Sequence, residues 1–427
     1  MKTDVFLACG IGRLHLLETA AAIAQSGRTV TLLTGWAPGR RQKPFVDILG
    51  AAIRQKRLYE RLSARRGTGE ETAYNVVQCP VSELLMTALA RTWFAENSSM
   101  NSAVWALCGL EVRLRLRHGR VFHVRSGAGG CGAIEKARRL GMRVVADHSI
   151  AHPGSIWKNL LSHGAGKEAA DRFHPVSSFW RRVMNDCARA DVVVVNSDYV
   201  RDTLVEHGLS RERIRVIYLG IDNVFAGAKT HHRDGNGATL RALFTGHFMP
   251  RKGSHILLAA AQILKERGVS CQFDIAGMMH DGPEQVKRLG LDDRFRFHGL
   301  LGRRELRELI GRSDLFVFPT LAEGCAKAAM EALGAGLPVL TTRECGLPRA
   351  AEGFVRILKL GSADDTATAI QEVGADAAVR AEWGRLGATY VAGAHSPECF
   401  RKAVAHFYDE LLSKEVVCAT SSAPETP

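Results

Sequence analysis

A short apolar run, a glycine turn and a helical pattern recur along this chain in two successive series. In the first, Asp4–Cys9 runs into Gly10-Ile11-Gly12, a helical pattern spans Leu14–Gln25, Gly27 stops it, and Thr29–Leu33 is apolar again. Val121–Val124, Arg143–Ala146, Val192–Val195 and Ile214–Tyr218 continue that series. The second contains Ala242–Phe244, Gln272–Ala276, Phe295–Phe297, Leu315–Phe318 and Val339–Thr341. Continuous apolar strands alternating with helices belong to parallel sheets covered on both faces. The expected fold is therefore α/β, with two Rossmann-like domains whose parallel sheets face each other across a cleft. Ligands in such sheets sit outside the carboxyl ends of the strands.

Residues 226–238 lack apolar periodicity and read as a linker. They separate an N-terminal domain, 1–225, from a C-terminal domain, 239–395. An amphipathic helix within 396–414 and a Ser/Thr/Pro-rich tail, 415–427, expected to be disordered, complete the chain. A length of 427 residues suits two cores better than one. No window approaches ~18 consecutive apolar residues. Met1–Leu7 reads as a buried strand and not as an export signal, so a cytoplasmic protein is expected. The ten cysteines include no Cys-x-x-Cys pair and read as small buried hydrophobes, with no metal site.

The net charge is +13, and all of the excess lies in residues 1–239, which carry 34 Lys and Arg against 21 Asp and Glu. The remainder is balanced at 23 against 23. The N-terminal half is thus expected to meet something anionic. Gln42–Arg66 has the pattern of a basic amphipathic helix suited to an anionic membrane surface, the alternative being an ordinary exposed helix on its own sheet. Arg113, Arg115, Arg117 and Arg120 form a second basic stretch, or a helix end with favourable dipole contacts. There is no nucleic-acid-binding motif and no interleaved aromatic platform, so nucleic acid is not an expected partner.

The segment carrying most chemistry is Glu323-Gly-Cys-Ala-Lys-Ala-Ala-Met-Glu331, which follows an apolar strand and Pro319. A helix is expected to start near Cys325. Its first amides, from Gly324 to Lys327, would lack internal partners and favour an anion. Glu331 lies two turns on, where a carboxylate can accept hydrogen bonds from a diol.

This block resembles the E-x7-E motif of the retaining GT-B glycosyltransferases, and the resemblance is dense over residues 185–345. It implies that Glu323 contacts the hydroxyls of the donor sugar, that the amides of Gly324, Cys325, Ala326 and Lys327 hold the diphosphate, and that Glu331 binds ribose. Phe244–Gly253 is similar to the family's strand-Gly-loop-Arg-Lys-Gly element, which assigns Gly246, Arg251 and Lys252 to the diphosphate; two fixed cations there would stabilise its developing charge. His247 stands where many members carry Arg. Ile275–Gly277 resembles the strand facing the donor, and Phe297–Leu301 the strand end bordering the nucleobase, which brings in Gly277 and Leu301. The family often has a histidine after the strand that ends at Asp147, so His148 is grouped with Glu323 as catalytic. Gly12 fits a loop near the donor phosphates, or equally a plain tight turn.

The activity so implied is transfer of a sugar from a nucleotide-diphosphate sugar to an acceptor hydroxyl with retained configuration. It needs no cofactor and no metal, and the chain contains no Asp-x-Asp. The acceptor would be a glycan or lipid-linked, in glycan, polysaccharide or glycolipid synthesis, with the enzyme peripheral on the inner membrane face. Two rivals stay open: a GT-B sugar-nucleotide epimerase or hydrolase, and an NAD-dependent oxidoreductase, for which Gly10-Ile11-Gly12 falls short of G-x-G-x-x-G.

Overall fold

The computed structural model describes residues 3–12, 15–35, 73–89, 98–229 and 239–413. Its first sheet is built from β1 (Val5–Ala8), β2 (Val30–Thr34), β3 (Asn75–Gln78), β4 (Val121–Arg125), β5 (Arg143–His148), β6 (Val192–Val195) and β7 (Ile214–Val216), in the order β3-β2-β1-β4-β5-β6-β7. The second contains β8 (Leu240–Thr245), β9 (Cys271–Ala276), β10 (Phe295–Gly299), β11 (Leu315–Phe318), β12 (Val339–Thr341) and β13 (Val355–Ile357), in the order β10-β9-β8-β11-β12-β13. All of these pairings are parallel. The expected pair of Rossmann-like domains is what the chain forms.

Both orders start in mid-sheet, run to one edge and cross back. The reversal points lie between β1 and β4 and between β8 and β11, where ligands gather in such sheets. Gly10–Gly12 follows β1, Gly246 follows β8, and Glu323 follows β11. Two strands, β3 and β13, go beyond the sequence reading. Both close a sheet edge and are only partly buried, so neither shows a continuous apolar run.

The second sheet is covered by a core that includes Phe244, Phe273, Phe316, Phe318 and Met330. One face of the first packs Trp105, Phe122 and Val124. On its other face Leu7, Leu16 and Val30 meet Phe400, Val404, Phe407, Tyr408 and Leu411. The last five lie on one stripe of the helix Pro397–Ser413, at helical spacing. The C-terminal helix therefore leaves the second domain and packs on the first. There Tyr408 Oη lies 2.7 Å from His123 Nδ1, and Arg143 donates to the Leu411 carbonyl at 2.5 Å.

The start of the expected linker, Ala226–Lys229, packs on the second domain, with the Lys229 amide donating to the Ala335 carbonyl at 3.1 Å. The rest of the linker, the Gln42–Arg66 segment and the tail 415–427 lie outside the described residues. Among those described, no helix is long and apolar enough to cross a membrane.

Candidate functional site between the two sheets

At the end of β8 the chain turns at Gly246 and passes His247, and Pro250–Lys252 forms a 3-10 turn before the helix Ser254–Glu266. At the end of β9, Gly277 lies against that turn. A Cβ on Gly277 would sit 2.1 Å from the Gly246 carbonyl oxygen, and its φ is +138°, so only glycine lets the two strand ends approach. The loops are joined further by Phe248 N–H donating to the Met278 carbonyl at 2.8 Å. Burial of Phe248 anchors this loop and leaves His247 exposed.

The 3-10 turn aims Arg251 and Lys252 at one oxygen. Glu323 Oε1 lies 2.9 Å from Arg251 Nη1 and 3.0 Å from Lys252 Nζ, with all three side chains largely shielded from solvent. Arg251 also donates to the Ala322 carbonyl at 2.5 Å, and the Lys252 ammonium lies 5.0 Å from the centre of the Phe318 ring. An acid and two bases from the ends of β8 and β11 thus form one compact cluster.

The first domain grips the loop that carries Glu323. Asn159 Nδ2 donates to the Leu321 carbonyl at 3.0 Å, Ala151 N–H to the Glu323 carbonyl at 3.3 Å, and Ser197 Oγ to the Gly324 carbonyl at 2.5 Å. A Cβ on Gly324 would come within 2.0 Å of the Ser149 carbonyl, so the glycine lets the domains touch here. Leu321 and Ala322 also join an apolar cluster with Ala151, Ile156 and Leu160 of the first domain. A cavity of about 220 Å³ lies behind this loop, walled by Tyr199, Arg343 and Glu344. The Glu344 carbonyl accepts the Glu323 amide at 2.8 Å.

The helix after Glu323 starts at Lys327, later than the start near Cys325 read from the sequence. Its cap residue, Ala326, has extended backbone because its amide donates to the Cys345 carbonyl at 3.0 Å. Of the four amides expected to face an anion, the Ala326 amide is thus already engaged. Glu331 lies on that helix, with Lys327 Nζ 3.9 Å away. Burial raises its carboxyl above the usual range, against the pull of Lys327 and Arg303. Arg303 follows shortly after Leu301, which is half-buried against the second core. Glu331 and the β10 end are therefore neighbours.

On the first domain, Gly12 closes a tight turn with φ +81°, and Arg125 of β4 donates to the Ile11 carbonyl at 2.7 Å. His148 ends β5 and is buried, with Nδ1 2.9 Å from Ser126 Oγ. Burial pushes it down to about 4, so the imidazole is neutral at pH 7 and suits a positioning part better than a proton donor. Its neighbour Asp147 turns the other way. Asp147 Oδ2 lies 3.0 Å from His15 Nε2 and 3.6 Å from His123 Nε2. Burial alone would push Asp147 up, but the two imidazoles hold it well below the usual carboxylate range.

Sequence reasoning missed the grip by Asn159, Ala151 and Ser197, the Asp147–His15–His123–Tyr408 network, and His280, whose Nε2 lies 3.3 Å from His247 Nδ1. Only His247 carried a signal, as a departure from a family pattern. The other contacts join residues far apart in the chain, 132 positions for His15 and Asp147 and 285 for His123 and Tyr408.

The sequence and the fold both have relatives. Residues 12–224 match the family described as Glycosyltransferase Family 4, and residues 239–376 the family described as Glycosyl transferases group 1. The chain is 26% identical over 200 residues to the putative colanic acid biosynthesis glycosyltransferase WcaL of Escherichia coli (strain K12). That match covers 42% of this chain and 48% of the relative, so it spans about half of the relative's length. Sucrose-phosphate synthase from Thermosynechococcus elongatus has a similar fold, with TM-score 0.63 and 15% identity over 97% of this chain and all (100%) of that one. So does Anabaena Alr3699/HepE, solved in complex with UDP and glucose, at TM-score 0.57 and 15% identity over 96% and 100%. The chain thus belongs among the two-domain glycosyltransferases of GT-B fold, its first half a family 4 domain and its second a group 1 domain.

Proposed function

We propose that the second domain holds a nucleoside-diphosphate sugar and that the chain transfers its sugar to an acceptor hydroxyl with retained configuration. The observation that carries this reading is the meeting of Glu323, Arg251 and Lys252 on a loop gripped by the other domain. With no donor bound, the carboxylate neutralises the two cations. An arriving diphosphate competes for them and frees Glu323 to accept hydrogen bonds from the sugar. The bond from the sugar's anomeric carbon to the diphosphate oxygen then breaks. The acceptor oxygen bonds to that carbon on the same face, and its proton passes to the departing phosphate. Arg251 and Lys252 stabilise the charge that develops, so the step needs no metal ion. Glu331 accepts from ribose hydroxyls, with Leu301 beside the base. The UDP-and-glucose complex of Alr3699/HepE supports a nucleotide of this class.

A thermal-shift screen against UDP, GDP, ADP, TDP and NAD tests the donor class. Saturation at ~100 times the dissociation constant adds ~2.7 kcal/mol of stability. A shift with one nucleoside diphosphate supports the reading, and a shift with NAD alone moves it to an oxidoreductase. Sugar-nucleotide hydrolysis without acceptor, as fast as with it, would favour a hydrolase. Chelator should leave turnover unchanged.

The glycan or lipid-linked acceptor and the placement at an anionic, cytoplasmic membrane face are part of the same proposal. Leu110 and Leu114 are 38% and 61% exposed, one turn apart on the helix Ser98–Arg115. Lys136 donates to the Arg113 carbonyl at 2.7 Å, and after burial its neighbours Arg117, Arg113 and Arg139 lower its pKa. Exposed leucines beside crowded cations complement an anionic bilayer. Vesicles containing phosphatidylglycerol should retain the protein at low salt, and Leu114→Ser with Arg117→Ser should weaken that binding. Equal recovery with neutral vesicles would refute the placement.

A further inference from the structure

The loops after β8 and β9 each present a histidine to the diphosphate side of the site. His280 Nε2 lies 3.3 Å from His247 Nδ1, with the rings 5.4 Å apart. Both side chains are exposed, and the Phe248–Met278 bond fixes the two loops against each other. His280 sits at φ +49°, a left-handed conformation uncommon for a residue with a side chain, and its neighbour Asp281 is engaged with Gln285 at 2.7 Å. The charges facing His247 are Lys252 and Arg251 from the 3-10 turn and Glu323 from the β11 loop.

Resting on the donor reading, we propose that His247 and His280 form a proton-sharing pair that takes up a proton when a nucleoside diphosphate binds, making donor-site affinity rise as pH falls. In the free chain, partial burial, His280, Lys252 and Arg251 all lower the pKa of His247, and only Glu323 opposes them. His247 is therefore held toward its neutral form. A diphosphate brings at least two negative charges to Arg251 and Lys252 and reverses the field at the imidazoles. One proton then suffices for both rings, because the second nitrogen of the pair accepts the hydrogen bond the first donates. A titratable cation here differs in kind from the permanent charge of an arginine.

The experiment is calorimetric titration of UDP, GDP and ADP into the full chain, in two buffers of different ionisation heat, from pH 6 to pH 8. H247N/H280N gives the baseline for the ligand's own phosphate titration, and H247R gives a fixed charge. Whichever nucleotide binds, the wild type should take up about half a proton more than H247N/H280N. Its affinity should rise about threefold more per pH unit toward acid, since a full proton of linkage is tenfold per unit. H247R should bind with the shallow slope of the baseline. Equal proton uptake by wild type and H247N/H280N would overturn the pair's role and leave the donor site standing. If none of the three nucleotides binds at any pH, the donor reading falls and takes this proposal with it.

Discussion

The two domains share one topology but contribute to the site by opposite means. The second, residues 239–395, is nearly balanced at 20 Lys and Arg against 18 Asp and Glu, yet it concentrates Glu323, Arg251 and Lys252 on a single oxygen. The first, residues 1–225, carries 32 Lys and Arg against 20 Asp and Glu, yet what it brings to the Glu323 loop is uncharged: the Ser149 carbonyl, the Ala151 amide, Asn159 and Ser197. Its histidine at the β5 end is neutral, and a cluster of its cations lies around Arg113 and Lys136. The second domain thus supplies charge to be met by a ligand. The first supplies shape and closure, with its own charge left for another partner. Parallel sheets with the same reversal point can divide a reaction in this way because the strand-end loops, not the strands, carry the chemistry.

The division of labour between the domains is most exposed at Glu323. Glu323→Gln keeps the shape of the loop and removes the charge, and turnover should fall about 10³-fold. Retained turnover would show that the acid only neutralises its two cations. Asn159→Ala removes one contact across the domains and should lower kcat about tenfold, the worth of a single hydrogen bond of about 1.4 kcal/mol. Nucleotide affinity should stay unchanged if the donor sits, as proposed, on the other domain. A matching loss of affinity would merge the two roles. Tyr408→Phe deletes a buried bond between the C-terminal helix and β4, at a cost of about 1–2 kcal/mol in stability with no change in nucleotide binding. Denaturant melts with and without nucleotide check both halves of that statement.

A different kind of effect concerns acid. Burial lowers His148 from the ordinary 6.5 to about 4, so the folded chain binds fewer protons there than the unfolded one. Stability from this group is complete above pH 6.5 and is lost as pH falls toward 4. Asp147 adds a loss at lower pH still, since its depressed carboxyl must be protonated. His15, raised above the ordinary value by Asp147 against the effect of burial, acts in the opposite sense and loses its contribution as pH rises through its folded value. Asp186, which burial raises from 3.8 to about 6, opposes this by gaining stability as pH falls through 6. The test is therefore the difference between proteins: the melting temperature of wild type should fall relative to that of His148→Asn between pH 6.5 and 4.

What the sequence makes legible follows the same division. Glu323, Arg251, Lys252 and Glu331 lie in two contiguous segments, where a strand, a turn and a helix start can be read from local spacing. The helix start itself was misread by two residues, because the Ala326 amide is held by Cys345, a contact no local pattern announces. The strands β3 and β13 leave little local signal, with only two valines between Asn75 and Gln78 and with Arg356 between Val355 and Ile357. The C-terminal helix showed its amphipathic stripe but not its destination, since Phe400, Phe407 and Tyr408 would suit either sheet. The grip on Glu323 joins residues more than a hundred positions apart, such as Asn159 with Leu321 at a separation of 162, and it exists only once both domains have folded.

If the second domain holds a nucleoside diphosphate through Arg251 and Lys252, removing both cations must weaken nucleotide binding. The most direct test is calorimetric titration of UDP, GDP, ADP and NAD into the wild type and into Arg251→Ala/Lys252→Ala. One nucleoside diphosphate should bind the wild type, the double variant should bind it about 10²-fold more weakly, and NAD should bind neither. Equal affinity in the two proteins, or binding of NAD alone, would contradict the donor reading.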